Sequence, residues 1–113
     1  KHLGENTGKL CYVEVKNVTL KGADEARFPD AVTSRGAKHL VELMDMIDEG
    51  HRAVMVYLVQ REDCDSLEFA ADIDAVYAET LKKAVKHGVE VLCYYCKLTS
   101  DEIKAVAPLP IKV

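Results

Sequence analysis

The sequence predicts an α/β domain, a mixed central sheet flanked by helices, in the order strand, helix, strand, helix, strand. Three observations carry that reading. A chain of 113 residues is the size of one ordinary domain, and 49% hydrophobic content allows a core without metal or disulfide staples. Runs rich in β-branched residues alternate with segments whose apolar residues recur at helical spacing. The joining segments are short, so right-handed crossovers bring the strands into one sheet. No internal repeat, linker or low-complexity tract interrupts the pattern.

The chain opens on Lys1-His2-Leu3 and then Gly4-Glu5-Asn6-Thr7-Gly8, which reads as a strand end entering a hairpin turn. It has no initiator methionine and is expected to start inside a structural unit, after a truncated first hairpin. Residues 9–20 are rich in β-branched side chains and form the first full strand. Residues 21–30, with Gly22 and Pro29, are expected to be a loop. Thr33 or Asp30 caps a helix that runs to about Glu49, with Ala37, Leu40, Val41, Leu43, Met44 and Ile47 on its apolar face. Gly50 fits the position just past its end, where positive φ is wanted.

The run Ala53-Val54-Met55-Val56-Tyr57-Leu58-Val59 is apolar nearly throughout, the pattern of a strand buried on both faces. Residues 61–73 read as an acidic connection. Asp74 caps a second helix through His87, whose inner face is expected to use Val76, Tyr77, Leu81, Ala84 and Val85. Gly88 ends it, and residues 89–98 form the last strand. The tail, with Pro108 and Pro110, is expected to pack irregularly.

Composition narrows the function classes. No run approaches the roughly 18 consecutive apolar residues of a membrane span. No basic segment leads into an apolar one as in a secretory signal, so the expected location is cytoplasmic. The net charge of −4 is unlike that of most nucleic-acid binders, so any phosphate contact must come from a local patch. Cys11, Cys64, Cys93 and Cys96 are even in number, but cytosolic thiols stay reduced. Cys93 and Cys96 have C-x-x-C spacing inside a strand, where residues three apart point to opposite faces. They are expected to act as small buried hydrophobes rather than as a redox pair.

Glu14 and Lys16 are the residues that can carry chemistry. Period-two geometry puts them on one strand face, about 6.6 Å apart at the backbone, with Val13 and Val15 turned the other way into apolar packing. A carboxylate can hold a hard cation such as Mg²⁺, and a neighbouring ammonium can hold water or neutralise developing charge. By spacing alone such a pair is more often a solvated surface or an ion pair than a reactive site. Arg35, Lys38 and His39 add a basic group on the early turns of the first helix, near an end that itself favours anions. A solvated helix face is the competing reading. His51 is expected to be a turn residue, and His87 suits the last turn of its helix.

A family resemblance sharpens this. Val13-Glu14-Val15-Lys16-Asn17-Val18-Thr19-Leu20 resembles the E-V-K-N/S-V-T-L signature of the sugar fermentation stimulation protein A family. Phe28-Pro29-Asp30-Ala31-Val32-Thr33, Arg35-Gly36 and Lys38-His39-Leu40 together resemble its F-P-D-A-V-T-x-R-G-x-K-H-L. Gly50-His51-Arg52-Ala53-Val54, Leu58-Val59-Gln60-Arg61 and Pro108-Leu109-Pro110 also fit the family pattern.

The resemblance implies a restriction-endonuclease-like, PD-(D/E)XK core. It implies that this chain is a single nuclease-like C-terminal domain, lacking an N-terminal OB-like domain. It implies DNA binding, mainly through that missing domain, and a part in regulating sugar, notably maltose, metabolism. Glu14 and Lys16 then fill the acidic-x-lysine positions, with Glu14 as a metal ligand and Mg²⁺ as a cofactor held weakly by this fragment. The family's partner aspartate, in a pattern like S-R-x-D-F, falls on a strand before this chain begins. Pro29-Asp30 follows the lysine and is not equated with the nuclease motif's own Pro-Asp. Two alternatives accompany the DNA-binding reading: an Mg²⁺-dependent endonuclease or phosphodiesterase using Glu14 and Lys16, and a protein-interaction domain with no nucleic-acid role.

Overall fold

The computed structural model describes residues 2–4, 9–98 and 103–112. The chain forms β1 (His2–Gly4), β2 (Leu10–Val18), β3 (Leu20–Lys21), β4 (Glu25–Phe28), α1 (Ser34–Asp48) and β5 (Arg52–Val59). It continues through β6 (Ser66–Phe69), α2 (Ala75–His87), β7 (Glu90–Leu98), β8 (Ile103–Pro108) and β9 (Ile111–Lys112). The expected hairpin turn at residues 5–8 lies outside the described residues.

The main sheet has the order β1-β2-β5-β7-β8. Its central strands β2, β5 and β7 run parallel, and β1 and β8 close the two edges antiparallel. Two crossovers, β2-α1-β5 and β5-α2-β7, step the same way across the sheet. Right-handed connections that step in one direction put both helices on one face. The core confirms it, because Met55, Tyr57, Val59 and Cys93 pack with Leu40, Leu43, Tyr77, Leu81 and Ala84. The helices that flank the sheet therefore both lie on one side of it.

That arrangement reverses one expectation on β2. The alternation holds, but the face of Glu14 and Lys16 is the one beneath α1. Val15, expected in apolar packing, lies on the opposite face and is 37% exposed, as Leu92 is at 40%. The prediction for β5 holds better, since Ala53, Val54, Met55, Tyr57 and Val59 are all buried.

The connections expected to be irregular build a second sheet, β3-β4-β6-β9, from strands of two to four residues. β4 and β6 pair in parallel, with Ala26 opposite Leu67 and Phe28 opposite Phe69. Strands this short offer too little alternation to be read from sequence. The tail is also ordered by long-range pairing: the Leu109 N–H donates to the Cys93 carbonyl, and the Leu67 N–H donates to the Pro110 carbonyl.

Both helices start where their caps place them. The Thr33 hydroxyl accepts from the Gly36 N–H at 3.0 Å, and Asp74 Oδ1 accepts from the Tyr77 N–H at 3.0 Å. Gly88 ends α2 at φ 109°, a left-handed conformation that costs a side-chain-bearing residue energy. Val41, Val76 and Val85 were expected on the inner faces but are exposed at 46, 68 and 40%. Each sits beside the buried stripe, one step of about 100° from a core position. Tyr77, Ala78, Leu81 and Ala84 form the true inner face of α2.

All four cysteines are free thiols. Cys93 joins the core, where burial pushes its pKa up to about 12, and Cys96 is buried outside that cluster. Neither carries the depressed pKa of a redox thiol. No helix among the described residues is long and apolar enough to cross a membrane.

Candidate functional site

Glu14 and Lys16 project from β2 toward α1, and the middle of α1 supplies His39. Rotation of α1 is fixed by its buried Leu40 and Leu43 on the sheet. That rotation leaves His39, one residue before Leu40, at the edge of the packed face. Lys16 Nζ lies 2.9 Å from His39 Nδ1 and 3.7 Å from Glu14 Oε1. His39 Nδ1 is 3.4 Å from the same carboxylate oxygen. The three side chains keep 29, 19 and 21% of their surface, for Glu14, Lys16 and His39, so the cluster is half-buried but open. Removing charges from water is costly, and mutual pairing offsets that cost here.

Two depressions meet at this cluster. One, of about 230 Å³, has Tyr12, Glu14, His39, Glu42, Leu43 and Met46 in its walls. The other is a shallow groove of about 540 Å³ along the start of α1, lined by Ser34, Arg35, Lys38, His39 and Glu42. His39 and Glu42 line both. Arg35 and Lys38 are exposed and form no ion pair among the described residues. The five residues singled out from sequence therefore lie along one side of β2 and α1. They divide into a tight cluster of Glu14, Lys16 and His39 and an outer pair, Arg35 and Lys38.

Sequence reasoning placed Asp74 as the cap of α2 but missed the contacts that tie the two helices together. Asp74, 6% exposed, caps α2 and also accepts from the Thr33 N–H through Oδ2 at 2.8 Å. One carboxylate thus ties the starts of both helices together. Hydrogen bonds from the Thr33 and Tyr77 N–H groups hold its pKa below the usual carboxylate range. At the other end, His87 Nε2 lies 2.7 Å from Asp48 Oδ1, linking the last turns of the helices. Gly36 allows the close approach of α1 to α2, because a Cβ there would fall 3.1 Å from Tyr77 Cε1 and 2.9 Å from Thr33 Cγ2.

Beneath the helices, Tyr57 and Tyr77 are fully buried and hydrogen-bond through their hydroxyls, against the rings of Phe28 and Phe69. Burial raises the pKa of both tyrosines, and for Tyr77 the negative charges of Asp74 and Glu14 add to the shift. His51, expected only as a turn residue, accepts the Leu10 N–H on Nδ1 at 3.1 Å and packs against Tyr12. Spacing along the chain gives no signal for contacts between residues about 40 positions apart.

The donor set tests a metal directly. Mg²⁺ uses one or two carboxylates and keeps several waters, while Ca²⁺ takes six to eight oxygens. Among the described residues, no group of three or more His, Cys, Asp or Glu converges as a cation site. Among the described residues Glu14 is the one carboxylate in the cluster, and Lys16 and His39 already crowd it. These residues alone do not fit a metal centre. They do fit an anion: an ammonium and an imidazole within one cluster, and two free cationic side chains along the adjoining groove.

Comparison with known proteins gives a consistent picture. The family described as "Sugar fermentation stimulation protein RE domain" matches residues 2–102. A sugar fermentation stimulation protein homolog from Paramagnetospirillum magneticum is 63% identical over 99 residues, covering 88% of this chain and 42% of that protein. A homolog from Rhodospirillum rubrum is 62% identical over 93 residues, covering 78% of this chain and 38% of that protein. The structure of Pyrococcus furiosus SfsA in complex with Ca²⁺ superposes with a TM-score of 0.86 at 27% identity, over 95% of this chain and 47% of that one. The fold is thus a mixed α/β, nuclease-like core, and the chain spans less than half the length of these relatives.

Proposed function

The chain belongs to the sugar fermentation stimulation protein family, and from that premise we propose that it is the nuclease-like domain of a DNA-binding protein acting in sugar metabolism. One observation carries the reading: Glu14, Lys16 and His39 converge within 3.7 Å at the head of a groove lined by Arg35 and Lys38. A phosphate backbone meets cations along such a groove, and phosphate contacts dominate nucleic-acid affinity. With a net charge of −4, this domain alone contributes a local patch rather than a broad field. The larger share of affinity comes from a further, OB-like domain of the full-length protein.

The test is a titration of full-length protein with duplex DNA at several salt concentrations. Arg35→Ala and Lys38→Ala each weaken binding, and each lowers the salt slope by about 1 per lost phosphate contact. Thermal stability stays unchanged, because both side chains are exposed. Unaltered affinity and slope in both variants would remove the groove from the DNA interface. No salt-dependent binding by the wild type would instead favour an interaction domain.

A second reading, a metal-dependent phosphodiesterase, is favoured by the Glu14-x-Lys16 pair and by the Ca²⁺ in the related archaeal structure. β1 runs antiparallel to β2 with His2 opposite Tyr12, so the strand continued upstream would place its residues opposite Glu14 and beyond. An acid there would complete a two-carboxylate site in the full-length protein. When bound, the cation would supply charge stabilisation at a phosphoryl oxygen. Lys16 would hold the developing negative charge and His39 would orient Lys16. Plasmid nicking with Mg²⁺ or Mn²⁺ decides the point: activity lost in Glu14→Ala supports the enzyme, and no nicking by either protein leaves the binding role.

A further inference from the structure

The bond between Lys16 and His39 carries information beyond either residue's type. A lysine ammonium has three donors and no acceptor. A contact of 2.9 Å between Lys16 Nζ and His39 Nδ1 therefore makes Nδ1 the acceptor. The imidazole is then neutral and carries its proton on Nε2. In that state Nδ1 cannot also donate to Glu14, so the 3.4 Å contact between them is proximity rather than a hydrogen bond.

We propose that His39 is a positioning residue for Lys16, accepting the ammonium at Nδ1 and thereby holding it over Glu14. The inference deepens the reading of Glu14 and Lys16 as the functional centre, and rests on it. Lysine has a flexible four-carbon stem, and its ammonium is free to swing wherever acceptors are few. Glu14 alone, at 3.7 Å, is a loose tether for a side chain that is 19% exposed. His39 is a firmer one, because α1 is locked on the sheet by Leu40 and Leu43. The tautomer also leaves an Nε2–H donor on the ring edge away from Lys16. His39 shares the groove with Arg35 and Lys38, so this donor is of the right kind for a phosphate oxygen.

The experiment reads the contact itself. Full-length protein is acetylated with limiting acetic anhydride near pH 8, where histidine is neutral, and Lys16 labelling is scored by mass spectrometry against exposed Lys38. His39→Leu keeps the volume but removes the acceptor, and raises relative Lys16 labelling about threefold or more as the ammonium is released. His39→Asn keeps an acceptor near the Nδ1 position and stays within about twofold of wild type.

Long-range ¹H–¹⁵N spectra of the wild type give a second reading that no substitution at His39 can disturb. They show protonated Nε2 and bare Nδ1, and Lys16→Met moves the Nδ1 resonance. An Nδ1–H tautomer, or equal labelling of Lys16 in all three proteins, overturns the proposal. DNA titration of the same variants separates the two claims: if the labelling contrast holds without any DNA binding, the positioning role stands and the proposed function falls.

Discussion

Tyr57 and Tyr77 show how much a single hydroxyl can matter in this core. Both rings are fully buried and each hydroxyl has the other as its partner. Tyr57→Phe strands the Tyr77 hydroxyl without a partner and costs about 1–3 kcal/mol. The double variant Tyr57→Phe, Tyr77→Phe is expected to lose less than the sum of the two single changes, because no orphan remains. Urea denaturation of the four proteins in a double-mutant cycle measures this, and strict additivity would show that the hydroxyls are not coupled. The same scale explains what could be read of the site in advance. Glu14 and Lys16 share a face by the period of a strand, and that was legible. Lys16 and His39 are 23 positions apart, and only the folded chain brings them within 2.9 Å.

At the scale of elements, Asp74 joins what two caps would otherwise do separately. It satisfies the N–H of Tyr77 in its own helix and the N–H of Thr33, the cap of the other. Asp74→Ala is expected to cost about 1–2 kcal/mol, the usual range for a lost cap. That is a fall of roughly 5 °C in Tm for a domain of this size. The effect has a definite pH dependence. The folded carboxyl is held below its ordinary value of 3.8, so its contribution is fully present above that value. It is lost as pH falls through the lowered folded pKa. Stability curves for wild type and Asp74→Ala should therefore run parallel at neutral pH and converge in acid. A gap that persists in acid where the folded carboxyl is itself protonated would assign the loss to packing rather than to the ionised cap. Asp74 was expected to cap α2 from its position alone. Its reach to Thr33, 41 residues earlier, depends on α1 lying beside α2.

For the molecule as a whole, the long elements were legible and the short ones were not. β2, β5, β7, α1 and α2 each carry enough residues for their period to stand out. β4, β6 and β9 exist because each finds a partner far away in the chain, and the two-residue β3 pairs with the neighbouring β4. That both helices lie on one face follows from the strand order, which is not written in a single strand's pattern. Among the described residues the Glu14 cluster holds one carboxylate, so the 113-residue chain should bind Mg²⁺ or Ca²⁺ more weakly than about 1 mM by calorimetry. Tight binding by this chain alone would mean that a second carboxylate, such as that of Glu42 in the same depression, joins Glu14.

The ties at the two ends of the helix pair, Asp74 to Thr33 and His87 to Asp48, have a mechanical result. With its first and last turns both fastened to α2, α1 cannot tilt or slide alone without breaking one of them. Arg35, Lys38 and His39 all ride on that clamped rod. On the proposed function, a ligand arriving along the groove would meet side chains whose points of attachment are already set, with little ordering of the backbone left to oppose its docking.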